Sequence, residues 1–71
     1  MNYANRIKEL RCSRGLSQKQ LAEGTGLTVT AIQNYEYGTR KPAFDALIAL
    51  ADFFGVSLDY LVGRSDDPNL H

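Results

Sequence analysis

Ser17-Gln18-Lys19-Gln20-Leu21-Ala22-Glu23-Gly24-Thr25-Gly26-Leu27-Thr28-Val29-Thr30-Ala31-Ile32-Gln33-Asn34-Tyr35-Glu36-Tyr37-Gly38 is the stretch on which the fold turns. It holds two helix starts and two helix stops. Ser17, with Gln20 three residues on, forms a capping box: each side chain satisfies a backbone donor of the other's turn. A helix therefore starts at Gln18 and carries Leu21 and Ala22 inward. Gly24-Thr25-Gly26 ends it in a tight turn, with Gly26 where the backbone needs freedom to adopt positive φ. After Leu27, Thr28 is a second N-cap. A helix over Val29–Tyr37 follows, and Gly38 closes it.

Two short helices joined by a few residues that include a glycine are the pattern of a helix-turn-helix. Ala22 is small where the helices must approach closely, and Leu21, Leu27 and Ile32 are apolar where the pair must pack on the rest of the domain. An ordinary αα-hairpin in a small bundle is the plainer alternative. The joint spacing of these features favours the helix-turn-helix.

Helical spacing continues on both sides. Upstream, Tyr3 to Arg14 places Tyr3, Ile7 and Leu10 on one face, and Gly15 ends the helix. Downstream, Thr39-Arg40-Lys41-Pro42 is a basic loop whose proline cannot sit in a helix interior. A fourth helix, Phe44 to Phe54, carries Phe44, Leu47, Ile48, Ala51 and Phe54 at i, i+3, i+4 intervals. Ser57 caps a last short helix, Leu58 to Val62. The aromatics Tyr3, Tyr35, Tyr60, Phe44, Phe53 and Phe54 fall at core spacing. The expected fold is all-α with five short helices, residues 1–64 forming one domain and 65–71 a flexible tail ending at His71.

Seventy-one residues make a single small core and leave little room for the walls of a catalytic cleft. The one cysteine, Cys12, excludes an internal disulfide or a multi-cysteine zinc site; it is expected to be a small packed or half-exposed residue. There is no Ser/His/Asp set and no phosphate-binding glycine loop, so an enzyme is not expected, nor a cofactor or metal. No apolar run approaches a membrane span, and the N-terminus lacks the apolar core of a secretory signal; a cytoplasmic protein is the default. Net charge is zero but uneven. Residues 1–41 carry seven basic and three acidic side chains, whereas residues 42–71 carry one and five, an asymmetry expected of a face turned toward phosphate.

Leu16 to Glu23, Gly26-Leu27-Thr28, Ile32 to Gly38, Lys41-Pro42 and Leu50 to Leu61 together resemble the phage repressor/Cro family of the xenobiotic-response-element type, over about Ile7 to Arg64. The resemblance implies a five-helix, lambda-repressor-like domain whose third helix enters the DNA major groove. It also implies a homodimer on a palindromic operator, and an internal ion pair between Arg11 and Glu36. The role so implied is a sequence-specific transcriptional regulator acting as a repressor. The alternative is a protein-interaction module that uses the same fold without reading DNA.

Within the third helix, Ile32 and Tyr35 turn inward, so Val29, Thr30, Gln33 and Asn34 share the outward face. Gln33 or Asn34 can pair bidentately with adenine, and Val29 and the Thr30 methyl can meet a thymine methyl. An A/T-leaning half-site is therefore expected. Gln18 and Thr28, at helix starts where exposed amides favour anions, are the expected phosphate contacts, with Lys19, Arg40 and Lys41 as cations. Val56, Leu58, Leu61 and Val62 supply apolar groups for a dimer interface.

Overall fold

The helices begin where the capping residues place them. The computed structural model describes residues 3–67, in the order α1 (Tyr3–Ser13), α2 (Gln18–Thr25), α3 (Val29–Tyr37), α4 (Phe44–Phe54) and α5 (Leu58–Leu61). The Ser17 hydroxyl accepts the Gln20 amide at 3.0 Å while the Ser17 amide donates to Gln20 Oε1 at 2.8 Å. Thr28 Oγ1 takes the Ala31 amide at 3.0 Å, and Ser57 Oγ takes that of Tyr60 at 3.1 Å. Ala43 offers α4 no side-chain cap. His71 and the rest of residues 68–71 lie outside the described residues.

The turn between α2 and α3 is shorter than the sequence suggests. Gly24 and Thr25 remain helical, with the Thr25 hydroxyl donating to Leu21 O at 2.8 Å. Gly26 alone carries the reversal, at φ 74°, where a side chain would be strained. Gly24 serves a different need. A β-carbon there would lie 2.3 Å from the Phe53 ring, so the missing side chain is what lets α2 and α4 close. Alanine normally improves a helix by roughly 1 kcal/mol over glycine, but overpacking a filled site costs about 1–3 kcal/mol. Gly24→Ala is therefore expected to lower stability in urea denaturation, and Phe53→Ala in the same chain to relieve the clash. A more stable Gly24→Ala protein would show that the ring swings aside freely.

Each helix contributes one fully buried large side chain: Ile7, Leu21, Ile32, Leu50 and Leu61. The buried face of α4 is rotated from the expected one. Ala46, Leu50, Ala51 and Phe54 face inward, whereas Phe44 is 69% exposed and Ile48 is also exposed. The reason is steric. Ala46 and Ala51 allow α4 to approach its neighbours closely, which a face built around Phe44 and Ile48 would prevent. Phe53 is half-buried, edge-on to Phe54 with ring centroids 5.3 Å apart.

Three of the seven N-terminal cations, Arg6, Arg11 and Arg14, turn to internal contacts. Arg14 donates to the carbonyls of Phe53 and Phe54 and lies 5.1 Å from the Phe54 ring, so it caps α4 from outside that helix. Arg6 sits 3.9 Å over Tyr60, donates to Ser65 O at 3.4 Å and approaches Asp66 at 3.7 Å. Arg6 thus links Ser65 and Asp66 to α1. Folding partly intermixes the two oppositely charged halves, and Lys8, Arg14, Lys19, Arg40 and Lys41 are the exposed cations of the basic half. Cys12 is fully on the surface rather than packed.

Candidate nucleic-acid interface

Helix α3 presents one face and is braced through the other. Ile32, Tyr35 and Glu36 are buried. At 100° per residue, the opposite side carries Val29 and Thr30, both exposed, and Gln33 and Asn34, both half-buried. The structure thus brings the four expected base-reading residues onto one surface. It adds a fifth. Tyr37 is 69% exposed and stands four residues beyond Gln33 and seven beyond Thr30, on the centre line of that face. The i+4 and i+7 spacing was readable in the sequence but is easily passed over in a helix's final residue.

Behind the face lies an ion pair. Arg11 Nε donates to Glu36 Oε2 at 2.6 Å and Nη2 to Oε1 at 3.0 Å. The third arm of the guanidinium, Nη1, reaches Leu16 O at 2.8 Å. The Glu36 side chain is only 1% exposed. Its hydrogen bond to Arg11 holds that guanidinium above its ordinary pKa. One arginine thereby fixes the end of α1, the α1–α2 turn and the last turn of α3.

Gln18 joins this network: its Nε2 donates to Glu36 Oε1 at 3.2 Å. A primary amide carries two N–H donors, so one remains for a phosphate oxygen, and the side chain is positioned by Glu36 rather than by its helix start. Thr28 is exposed, and its oxygen is engaged as the α3 cap, which leaves the hydroxyl proton to donate outward. Lys19, at the start of α2, and Arg40 and Lys41, in the loop after α3, are exposed. That loop is anchored by the Tyr3 hydroxyl, which donates to Arg40 O at 3.3 Å. Of the four expected interface residues, Val56 and Leu61 are buried in the protomer's own core and cannot meet a partner. Leu58 remains exposed and Val62 half-exposed. Val56 lies in the α4–α5 corner and Leu61 ends α5. No group of three or more His, Cys, Asp or Glu side chains arranged to hold a metal ion occurs among the described residues.

The helix-turn-helix family model matches residues 7–61, most of the chain. The chain belongs to this helix-turn-helix family. Its fold is that of lambda-repressor-like domains of the xenobiotic-response-element type. Curated relatives within the family include the HTH-type transcriptional regulator YobD of Bacillus subtilis, 39% identical over 94% of this chain and 60% of the relative. The cryptic phage CTXphi transcriptional repressor RstR of Vibrio cholerae is 34% identical over 90% of this chain and 58% of its own length. The chain thus spans about 60% of the length of these two relatives. Among solved structures, a phage c2 repressor in complex with a synthetic operator superposes with a TM-score of 0.85 at 26% identity, covering 92% of this chain and 98% of that one. The restriction-modification controller protein C.AhdI of Aeromonas hydrophila gives 0.79 at 30% identity, over 84% and 91%. No helix of this helix-turn-helix domain is long and apolar enough, among the described residues, to cross a membrane.

Proposed function

We propose that this helix-turn-helix domain reads duplex DNA as a transcriptional repressor, with α3 in the major groove and two copies on a palindromic operator. The observation that carries the reading is the outward face of α3, held by the Arg11–Glu36 pair that locks the helix from behind. In the major groove a helix presents its N-terminal residues to base edges. Val29, Thr30, Gln33 and Asn34 are the readers. Gln18, Thr28, Lys19, Arg40 and Lys41 contact phosphates, and Tyr37, at the far end of the helix, reaches the backbone where the helix leaves the groove. The repressor relatives named above support DNA binding, and nothing in the assignment requires catalysis or a cofactor. The setting is the cytoplasm, where an operator is accessible, and residues 1–64 form the DNA-binding unit. Leu58 and Val62 supply the surface for the second copy. The test is selection from random duplexes, followed by footprinting. Recovery of a symmetric site with half-sites about 10–10.5 bp apart is expected; a chain that selects no duplex removes the reading.

Affinity has a separate signature. With Lys19, Arg40 and Lys41 on phosphates, log K falls with log salt at a slope near −3 per subunit by the ~0.9 rule. Lys41→Ala is expected to flatten the slope by about 0.9 per subunit while leaving the selected sequence unchanged. An unaltered slope would place Lys41 away from the backbone.

A further inference from the structure

We infer that Thr39 is a positioning residue that sets Asn34 to read guanine; the inference rests on the reading that α3 faces base edges. It follows from counting lone pairs. Where α3 ends, the Gly38 amide reaches the main-chain oxygen of Asn34, and the Thr39 amide bonds to the same oxygen at 3.0 Å. A carbonyl oxygen has two lone pairs, and here both are taken. The Thr39 hydroxyl lies 3.3 Å from that oxygen and 3.3 Å from Asn34 Oδ1. Of these two oxygens, only Oδ1 has a lone pair left for its single proton. With the amide oxygen held against Thr39, Asn34 turns its Nδ2 donors toward the surface that Thr30, Gln33 and Tyr37 share.

The chemistry of that surface then changes. Bidentate recognition of adenine needs an acceptor for N6–H and a donor for N7, whereas guanine offers two acceptors, N7 and O6. An asparagine with its oxygen turned to Thr39 and its donors outward matches guanine at both points and adenine at one. The A/T-leaning half-site expected from side-chain types alone is thus revised at one position. Nothing in the sequence shows this, because Thr39 lies beyond the helix and meets Asn34 only through the reversal at Gly38.

The experiment first locates the base pair facing Asn34 as the position whose preference disappears in Asn34→Ala selections. At that position wild type is expected to favour guanine over adenine by about tenfold, within the range of one good bidentate contact. Replacing that guanine by 7-deazaguanine should weaken binding severalfold. Thr39→Val keeps the side-chain shape and removes the proton, so the guanine preference should fall to about twofold or less. Thr39→Ser, which restores the hydroxyl, should restore the preference. Salt slope and thermal stability should stay close to wild type in both, since neither variant touches a phosphate contact or the core. Adenine preferred by the wild type would overturn the assignment and leave DNA reading intact, and so would a Thr39→Val protein with an unchanged guanine preference. A wild type that selects no duplex overturns both together.

Discussion

Glu36→Ala lowers the stability of the domain by about 3–5 kcal/mol, the cost of stranding one member of a buried ion pair. In a chain of this size such a loss removes a large share of the total stability and shifts the thermal midpoint by more than about 12 °C. The magnitude follows from the geometry. The Glu36 carboxylate accepts from Arg11 Nε, Arg11 Nη2 and Gln18 Nε2, and almost none of it touches water. Removing it leaves the Arg11 guanidinium largely enclosed, with only Leu16 O as a remaining partner. Replacing both charges together, as in Arg11→Met/Glu36→Leu, should recover much of the loss, because no charge is then stranded. The single and double variants are compared by urea denaturation with unchanged slope; a double variant as unstable as the single would show that the pair contributes more than avoided desolvation. The pH dependence has a definite sign on the arginine side. Arg11 is raised above its ordinary pKa by the Glu36 hydrogen bond. Its stabilising contribution is fully present below the unfolded value and is lost only as pH rises through the folded one, in strong alkali. Between weakly acidic and weakly alkaline pH it is constant.

The second large effect falls on recognition. Gln33→Ala/Asn34→Ala removes both amides from the outward face, and each good bidentate contact contributes about 1–3 kcal/mol of discrimination. The ratio of specific to non-specific affinity is expected to fall by at least about thirtyfold per half-site. Non-specific affinity and the salt slope should persist, because Lys19, Arg40 and Lys41 are untouched. Stability should change little, since both side chains are only half-buried and alanine favours a helix. Competition binding against random duplex separates the two terms. A variant that retains its operator preference would remove α3 from the reading role, whatever its stability.

Much of this could be read before any coordinates. Ser17, Thr28 and Ser57 are caps in the structure because capping is a local matter of one side chain and one amide three residues on. The inward positions Leu21, Ala22, Ile32 and Tyr35 follow from the helical period in the same way. The misreadings have a common origin. Phe44 and Ile48 satisfy the periodicity of α4 as well as its true core residues do, and only the close approach allowed by Ala46 and Ala51 distinguishes the two faces. Val56 and Leu61 are expected to meet a partner as apolar groups beside a helix–helix corner, yet that corner folds both into the core.

Helix order, caps, the Gly26 turn and the outward membership of Val29, Thr30, Gln33 and Asn34 belong to the sequence, since each depends on neighbours within about one helical turn. Contacts between residues distant along the chain belong to the folded structure. They tie Arg6 and Arg14, two of the seven cations of residues 1–41, to Tyr60, Ser65 and the end of α4, couple Gln18 to Glu36, and choose Gly24 as the point where α2 and α4 meet. The reversal at Gly38 adds a shorter-range case, folding Thr39 back onto Asn34. A charge or an amide in the sequence states what a residue can do, and its neighbours in space settle which of its donors and acceptors are still free to do it.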